Sequence, residues 1–257
     1  MHHLRSALLG ALLLVVARTC AAQDVRLMVC GREVEPPGTT AVSDGLLIAP
    51  LKAPLEAFGA AVALGADGRH IEVTLADGRA ATLEVGGSTL TIDGVKRRLK
   101  RPVRLVGGVS VGPVADVLAA LGADVRWDNE TKTLYASARI RSVDVEGDES
   151  GVAVRIVTSA PVAFDAPKRL LDPPRLYVDV RGASGPFEGD SRVVGVAGVK
   201  RVRWARHSAD PPSVRVVLDL ERPMEPTWMV GRERMSARLA VGAPSAGAAA
   251  LASEMAK

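Results

Sequence analysis

Two hydrophobic periodicities alternate along the first half of the chain, and only one of them persists into the second. Apolar residues three and four apart mark short helical faces, whereas strict alternation marks half-buried strands. Both occur in the segment from Gly45 to Leu64, GLLIAPLKAPLEAFGAAVAL, which returns 63 residues later, from Gly108 to Trp127, as GVSVGPVADVLAALGADVRW. Pro50 is matched by Pro113, Leu55 by Leu118, Phe58 by Leu121, Gly59-Ala60 by Gly122-Ala123 and Val62 by Val125. Each copy reads as a strand, a proline at the start of a helix, one apolar helical face, and a glycine that ends the helix before the next strand. In the second copy Val114, Val117, Leu118 and Leu121 fall on one predicted buried stripe.

Turn signals follow both copies. Gly65 to Gly68 leads into the alternating run Ile71 to Leu75, and Asp128 to Glu130 leads into Thr131 to Tyr135, each predicting a hairpin. A further hairpin joins Ala80–Val85 to Ser88–Ile92 across Gly86-Gly87, with the next turn at Asp93-Gly94. From Ala138 the helical period disappears. The runs Ile140–Val145, Val152–Val157, Arg175–Val180, Val199–Trp204, Ser213–Leu220 and Met235–Val241 are separated by turns carrying Gly, Pro and Asp, the spacing of an antiparallel sandwich.

A chain of 257 residues, 47% hydrophobic and 24% charged, can fill one large core or two modest ones, and with 3% aromatics those cores must be built from Val, Leu, Ile and Ala. The N-terminus adds a compartment. His2, His3 and Arg5 precede an apolar stretch from Ala7 to Ala17, and Cys20-Ala21-Ala22 supplies small residues before Gln23, so residues 1–22 read as a secretory signal peptide. The stretch is shorter than the roughly 20 residues that span a bilayer. Arg18 closes it, against a retained anchor, and Arg18 and Thr19 argue against lipid attachment at Cys20. Cleavage leaves Cys30 without an intramolecular partner and lowers the basic count from 33 to 31 against 29 acidic residues, which is no nucleic-acid signature.

The repeated Pro-Leu…Leu-Glu-Ala-Phe-Gly-Ala-x-Val pattern resembles the copper amine oxidase N-terminal-like (stalk) domain of bacterial envelope proteins. The family's Pro-Leu-Arg stands here as Pro50-Leu51-Lys52 and Pro113-Val114-Ala115, so no role of its arginine carries over, and the resemblance implies no copper chemistry. The second half, through Pro174 to Val180, Val199 to Arg203 and Val214 to Leu220, resembles the AMIN domain, which accompanies peptidoglycan amidases and secretins and is thought to hold its host on the wall. The expected fold is mainly β: an α+β repeat domain of antiparallel strands with two short helices over residues 24–137, then an AMIN-like β-sandwich over 138–242. A flexible tail rich in Ala, Gly and Ser is expected over 243–257.

The chemistry of the chain points to binding and not to catalysis. After export only His70 and His207 remain, one in each half, too few for a zinc amidase, and no metal site or cofactor is expected. Neither a Gly-x-Ser-x-Gly nucleophile elbow nor a phosphate-binding glycine loop occurs. Two basic clusters stand out, Lys96 to Arg101 with Arg104, and Lys200, Arg201, Arg203 and Arg206. The first reads mainly as a charged strand edge; the second reads equally as a holder of anionic wall material. Arg175/Asp179 and Arg215/Asp219 share one spacing, four residues apart on one face of a strand. They form either a ligand-facing polar row or cross-strand ion pairs that set register, and Trp204 and Trp228 either stack on sugars or pack in the core. The candidate ligand-binding residues are therefore Arg175, Asp179, Lys200, Arg201, Arg203, Arg206, Arg215 and Asp219. The resemblance implies an exported, periplasmic or wall-associated protein that binds peptidoglycan or another wall polymer and does not span the membrane once processed. The alternatives are a protein partner in a secretin or pilus assembly, met by strand addition, and a targeting role beside an amidase.

Overall fold

The computed structural model describes residues 25–36, 40–43, 45–187 and 189–242; the expected signal peptide at 1–22 and tail at 243–257 lie outside the described residues. The first half opens with β1 (Arg26–Val29), β2 (Arg32–Glu33) and β3 (Ala41–Ser43). The first repeat follows as β4 (Leu46–Pro50), α1 (Lys52–Ala57), β5 (Ala60–Leu64) and β6 (His70–Leu75). Then come β7 (Ala80–Glu84), β8 (Thr89–Ile92), β9 (Val95–Arg98) and β10 (Arg104–Val106). The second repeat is β11 (Val109–Pro113), α2 (Val114–Ala120), β12 (Ala123–Asp128) and the start of β13 (Thr133–Asp148).

The two repeats pack on each other through β4 and β11, antiparallel, with Ala49 opposite Gly112 and Pro50 and Ile48 opposite Val111 and Pro113. Because Ala49 and Gly112 are themselves repeat equivalents, a local two-fold axis runs through that pair. The hairpins obey the same symmetry: Val62 faces Val73 in β5/β6, and Val125 faces Ala136 in β12/β13. Val114, Val117, Leu118 and Leu121 are all buried, as the stripe predicts, and each such side chain contributes roughly 1.5–3 kcal/mol of burial. Gly59 and Gly122 end the helices with φ of +86° and +104°, conformations that suit glycine. The remaining first-half sheet, β5 to β9 in sequence order, is a meander whose Asp93-Gly94 turn has positive φ at both residues.

The two halves share a strand. The change of pattern at Ala138 falls inside β13, whose first residues pair with β12 and, in parallel, with β1, and whose later residues pair with β14 (Gly151–Thr158). The junction is packed. Ser159 Oγ accepts a hydrogen bond from the Arg139 amide at 2.8 Å and donates to the Gly122 carbonyl at 3.0 Å, tying the end of α2 to the second half. One apolar core runs through both halves.

The second half continues with β15 (Ala163–Phe164), β16 (Lys168–Leu171), β17 (Pro174–Arg181), β18 (Ala183–Ser184), β19 (Asp190–Val196), β20 (Val199–Ala209), β21 (Pro212–Leu220), β22 (Pro226–Val230) and β23 (Ser236–Gly242). One sheet runs β13-β14-β23-β22 and the other β15-β17-β21-β20-β19, with β16 also alongside β17. Val154, Ile156 and Leu239 from the first sheet and Leu176, Val178, Val216 and Leu218 from the second are buried between them. The mainly β architecture agrees with the sequence. Among the strands that escaped it, β9 and β16 expose every residue and β19 nearly so, so neither face carries an alternation to read.

Candidate functional site

Alternation in β17 sends Leu176, Val178 and Val180 into the sandwich and Arg175, Tyr177 and Asp179 to the opposite face. In β21 the same rule buries Val214, Val216 and Leu218 and turns Arg215, Val217 and Asp219 outward. The strands run antiparallel with Arg175 opposite Asp219 and Asp179 opposite Arg215, so each within-strand spacing becomes a crossed pair. β20 adds a third strand, with Arg201 opposite Asp219 and Arg203 opposite Val217.

Asp219 is the centre of the arrangement. Arg201 Nε donates to Oδ2 at 2.5 Å, Arg203 donates through Nε and Nη2 at 3.0 and 3.1 Å, and Arg175 Nε lies 3.2 Å from Oδ1. The carboxylate is nearly covered, at 12% side-chain exposure, while Arg201 keeps 53% and Arg203 36%. Each guanidinium has five N–H donors; the carboxylate orients them and leaves outer edges free. Beside it, Arg215 grips Asp179 through two bonds of 2.7 and 2.8 Å, a bidentate fork. Arg215 also lies 4.2 Å from the ring centre of Tyr177, with Lys168 at 5.9 Å.

Arg175, Arg201, Arg203, Arg215 and Lys168 thus gather around Asp179 and Asp219, beside a groove of about 460 Å³ lined by Ser191, Arg201, Arg203, Trp204, His207 and Arg215 among others. The excess of positive charge, preorganised by its own carboxylates, suits an anionic or carboxylate-bearing ligand.

Six of the eight sequence candidates are brought together: Arg175, Asp179, Arg201, Arg203, Arg215 and Asp219. Lys200 is not. It occupies the irregularity between Val199 and Arg201 and leaves the alternating row. Arg206 lies on the Val202–Trp204 side of β20, reaching the end of the groove and a second hollow with Asp124 and Arg139. Trp204 is half-buried against the core, and Trp228 meets Phe164 edge-on at 6.4 Å. Tyr177 and Lys168 were missed; Tyr177 was legible as the residue between Arg175 and Asp179 on their face. Of the other basic cluster, Lys96, Arg97 and Arg98 lie exposed along β9. His70 Nδ1 sits 2.5 Å from Asp67 in a hairpin turn, and among the described residues no group of three or more His, Cys, Asp or Glu is placed to hold a metal.

Burial pushes the Asp219 carboxyl upward, but the bonds from Arg203 and Arg201 outweigh it and hold it below the ordinary carboxylate range. Asp179 behaves alike, burial being outweighed by Arg215. A carboxylate depressed in the folded state stabilises the fold above its unfolded pKa of about 3.9, and that contribution is lost as pH falls through the folded value. The thermal midpoint should accordingly stay level from pH 7 to about 5 and drop below about pH 4, with a shallower drop in Asp219→Asn, as followed by circular dichroism. An equal drop in the variant would remove Asp219 from the account.

Two family models match the chain, the copper amine oxidase N-terminal domain over residues 28–136 and the AMIN domain over residues 142–236. The carboxylate-centred arginine face lies wholly inside the second match. No curated protein matches the chain.

Proposed function

The chain joins a copper amine oxidase N-terminal domain to an AMIN domain, an envelope-associated module, and on that premise we propose that it is an exported, non-catalytic protein that binds peptidoglycan through the outer face of β17, β21 and β20. One observation carries the reading: three guanidiniums held on Asp219 with their outer edges open. Peptidoglycan stem peptides present carboxylates at regular intervals, and an arginine fork is the side chain that meets a carboxylate through two parallel bonds. Each contact is modest, but a polymer with repeated sites raises the effective concentration after the first contact and so turns weak binding into retention.

Co-sedimentation of the chain from Gln23 onward with purified sacculi tests this. Pelleting is expected at 0.1 M salt and should fade toward 1 M, as the Debye length shrinks from about 10 Å to about 3 Å. Absence of pelleting at low salt sinks the proposal.

A second reading, a protein partner added as a strand, is favoured by β19. This seven-residue strand closes the edge of the second sheet and leaves Val193 81% exposed. Retention by a protein partner after substitution of the arginine face would separate it from the first.

A further inference from the structure

The two repeats are alike in backbone and register but not in what they carry at one end, and the difference gathers in a single hollow of about 520 Å³. That volume is within the usual range of small-ligand sites. The core-facing row of β12, Ala123, Val125 and Trp127, lies against α2 at its start and outruns the helix at its end, leaving Trp127 36% exposed in the hollow. The repeat equivalent of Trp127 is Leu64; of Asn129, Ala66; of Asp116, Ala53. The second copy has therefore acquired an aromatic plate, an amide and a carboxylate at one place on a scaffold that the first copy folds without them.

The groups are held. Trp127 Nε1 donates to Asn129 Oδ1 at 2.8 Å, which anchors the indole by its edge and leaves ring surface as what it offers. Asp116 accepts the Lys100 amide at 2.9 Å and sits 3.7 Å from the Lys100 ammonium, so the chain between β9 and β10 is tied down as one wall. Lys132, exposed in the hairpin turn, adds a donor at the rim. Apolar floor comes from Leu47 and Leu134.

We propose that this hollow is a second binding site, in the first domain, for a pyranose glycan. A sugar ring has an apolar face of C–H groups that suits the electron-rich face of an indole, and a periphery of hydroxyl and amide groups that needs the mixed donors and acceptors that Asp116, Lys100 and Lys132 supply. Two sites of different chemistry on one chain, one for carboxylates and one for sugar rings, would engage one wall polymer together and reinforce each other. The identity of that polymer rests on the wall-binding reading; sugar binding at Trp127 does not.

The repeat also supplies the neutral substitution. Trp127→Leu installs the residue that the first copy uses at the same position, so the fold is expected to tolerate it. With tryptophan-labelled protein the indole signals of Trp127, Trp204 and Trp228 are followed by NMR during titration with a soluble N-acetylglucosamine tetramer. The Trp127 signal, assigned by its loss in Trp127→Leu, should shift and saturate at millimolar sugar while the other two stay in place. The shift should survive Arg201→Ala/Arg203→Ala even though sacculus pelleting falls. A Trp127 signal that does not move at millimolar sugar, or equal movement of all three, overturns the proposal, whatever the sacculus assay returns.

Discussion

Gly182→Ala should lose about 3 kcal/mol of stability or more, a large fraction of the roughly 5–15 kcal/mol that holds a protein folded. Gly182 has φ of +74°, and a Cβ built there falls on the carbonyl group of Cys30 and within 2.7 Å of the Gly31 nitrogen. Those obstacles are backbone, and the backbone is pinned: the Cys30 amide donates to the Ala136 carbonyl at 2.8 Å, and the Ala138 amide donates to the Gly182 carbonyl at 2.9 Å. Cys30–Gly31 and Gly182 therefore lie against each other beside β13, one segment from each half. Gly94→Ala is the control, because Gly94 has φ of +81° but open space around its missing Cβ. It should cost only the conformational strain, on the order of 1 kcal/mol. Urea denaturation of both variants checks the difference, and equal losses would mean that the close approach at Cys30 is not a determinant of the fold.

That contact also marks where reading the sequence stops. The repeat was legible because its buried stripe, Val114, Val117, Leu118 and Leu121, repeats a spacing that local sequence carries in full. The strands of the second half were legible for the same reason. What joins the halves was not: helices end near Leu121, so the pattern changes, yet the strand Thr133–Asp148 continues through that change. Nothing within ten residues of Gly182 announces that Cys30 will lie against it. At the candidate site the four-residue spacing of Arg175/Asp179 and Arg215/Asp219 placed each pair on one face, but the crossed partnership follows from strand order, which pairs residues 44 and 36 positions apart. Lys200 was misplaced because one irregular residue in β20 shifts alternation, and such an insertion has no signature in composition.

Arg201→Ala/Arg203→Ala and Asp219→Asn should have opposite consequences, and the contrast decides whether the arginine face is a ligand site or a register staple. In the double variant Asp219 keeps Arg175 at 3.2 Å, so its charge remains partnered and the fold should lose about 1 kcal/mol or less, the ordinary cost of half-exposed ion pairs. Binding should suffer far more. Two charge-assisted bonds to a ligand carboxylate are worth roughly 3 kcal/mol together, about a hundredfold in affinity, and avidity on a polymer compounds the loss. In Asp219→Asn the anion disappears while Arg175, Arg201 and Arg203 stay beside one another. Stability should fall by about 2 kcal/mol, because three partly exposed guanidiniums lose the one carboxylate they share and face each other as like charges. Sacculus binding at low salt should persist, since the cations that meet the ligand remain. Thermal melts and co-sedimentation on the two variants give four measurements. If the double arginine variant melts as low as Asp219→Asn and still pellets with sacculi, the cluster serves only to set strand register; if it stays folded and stops pelleting, those two arginines hold the wall polymer.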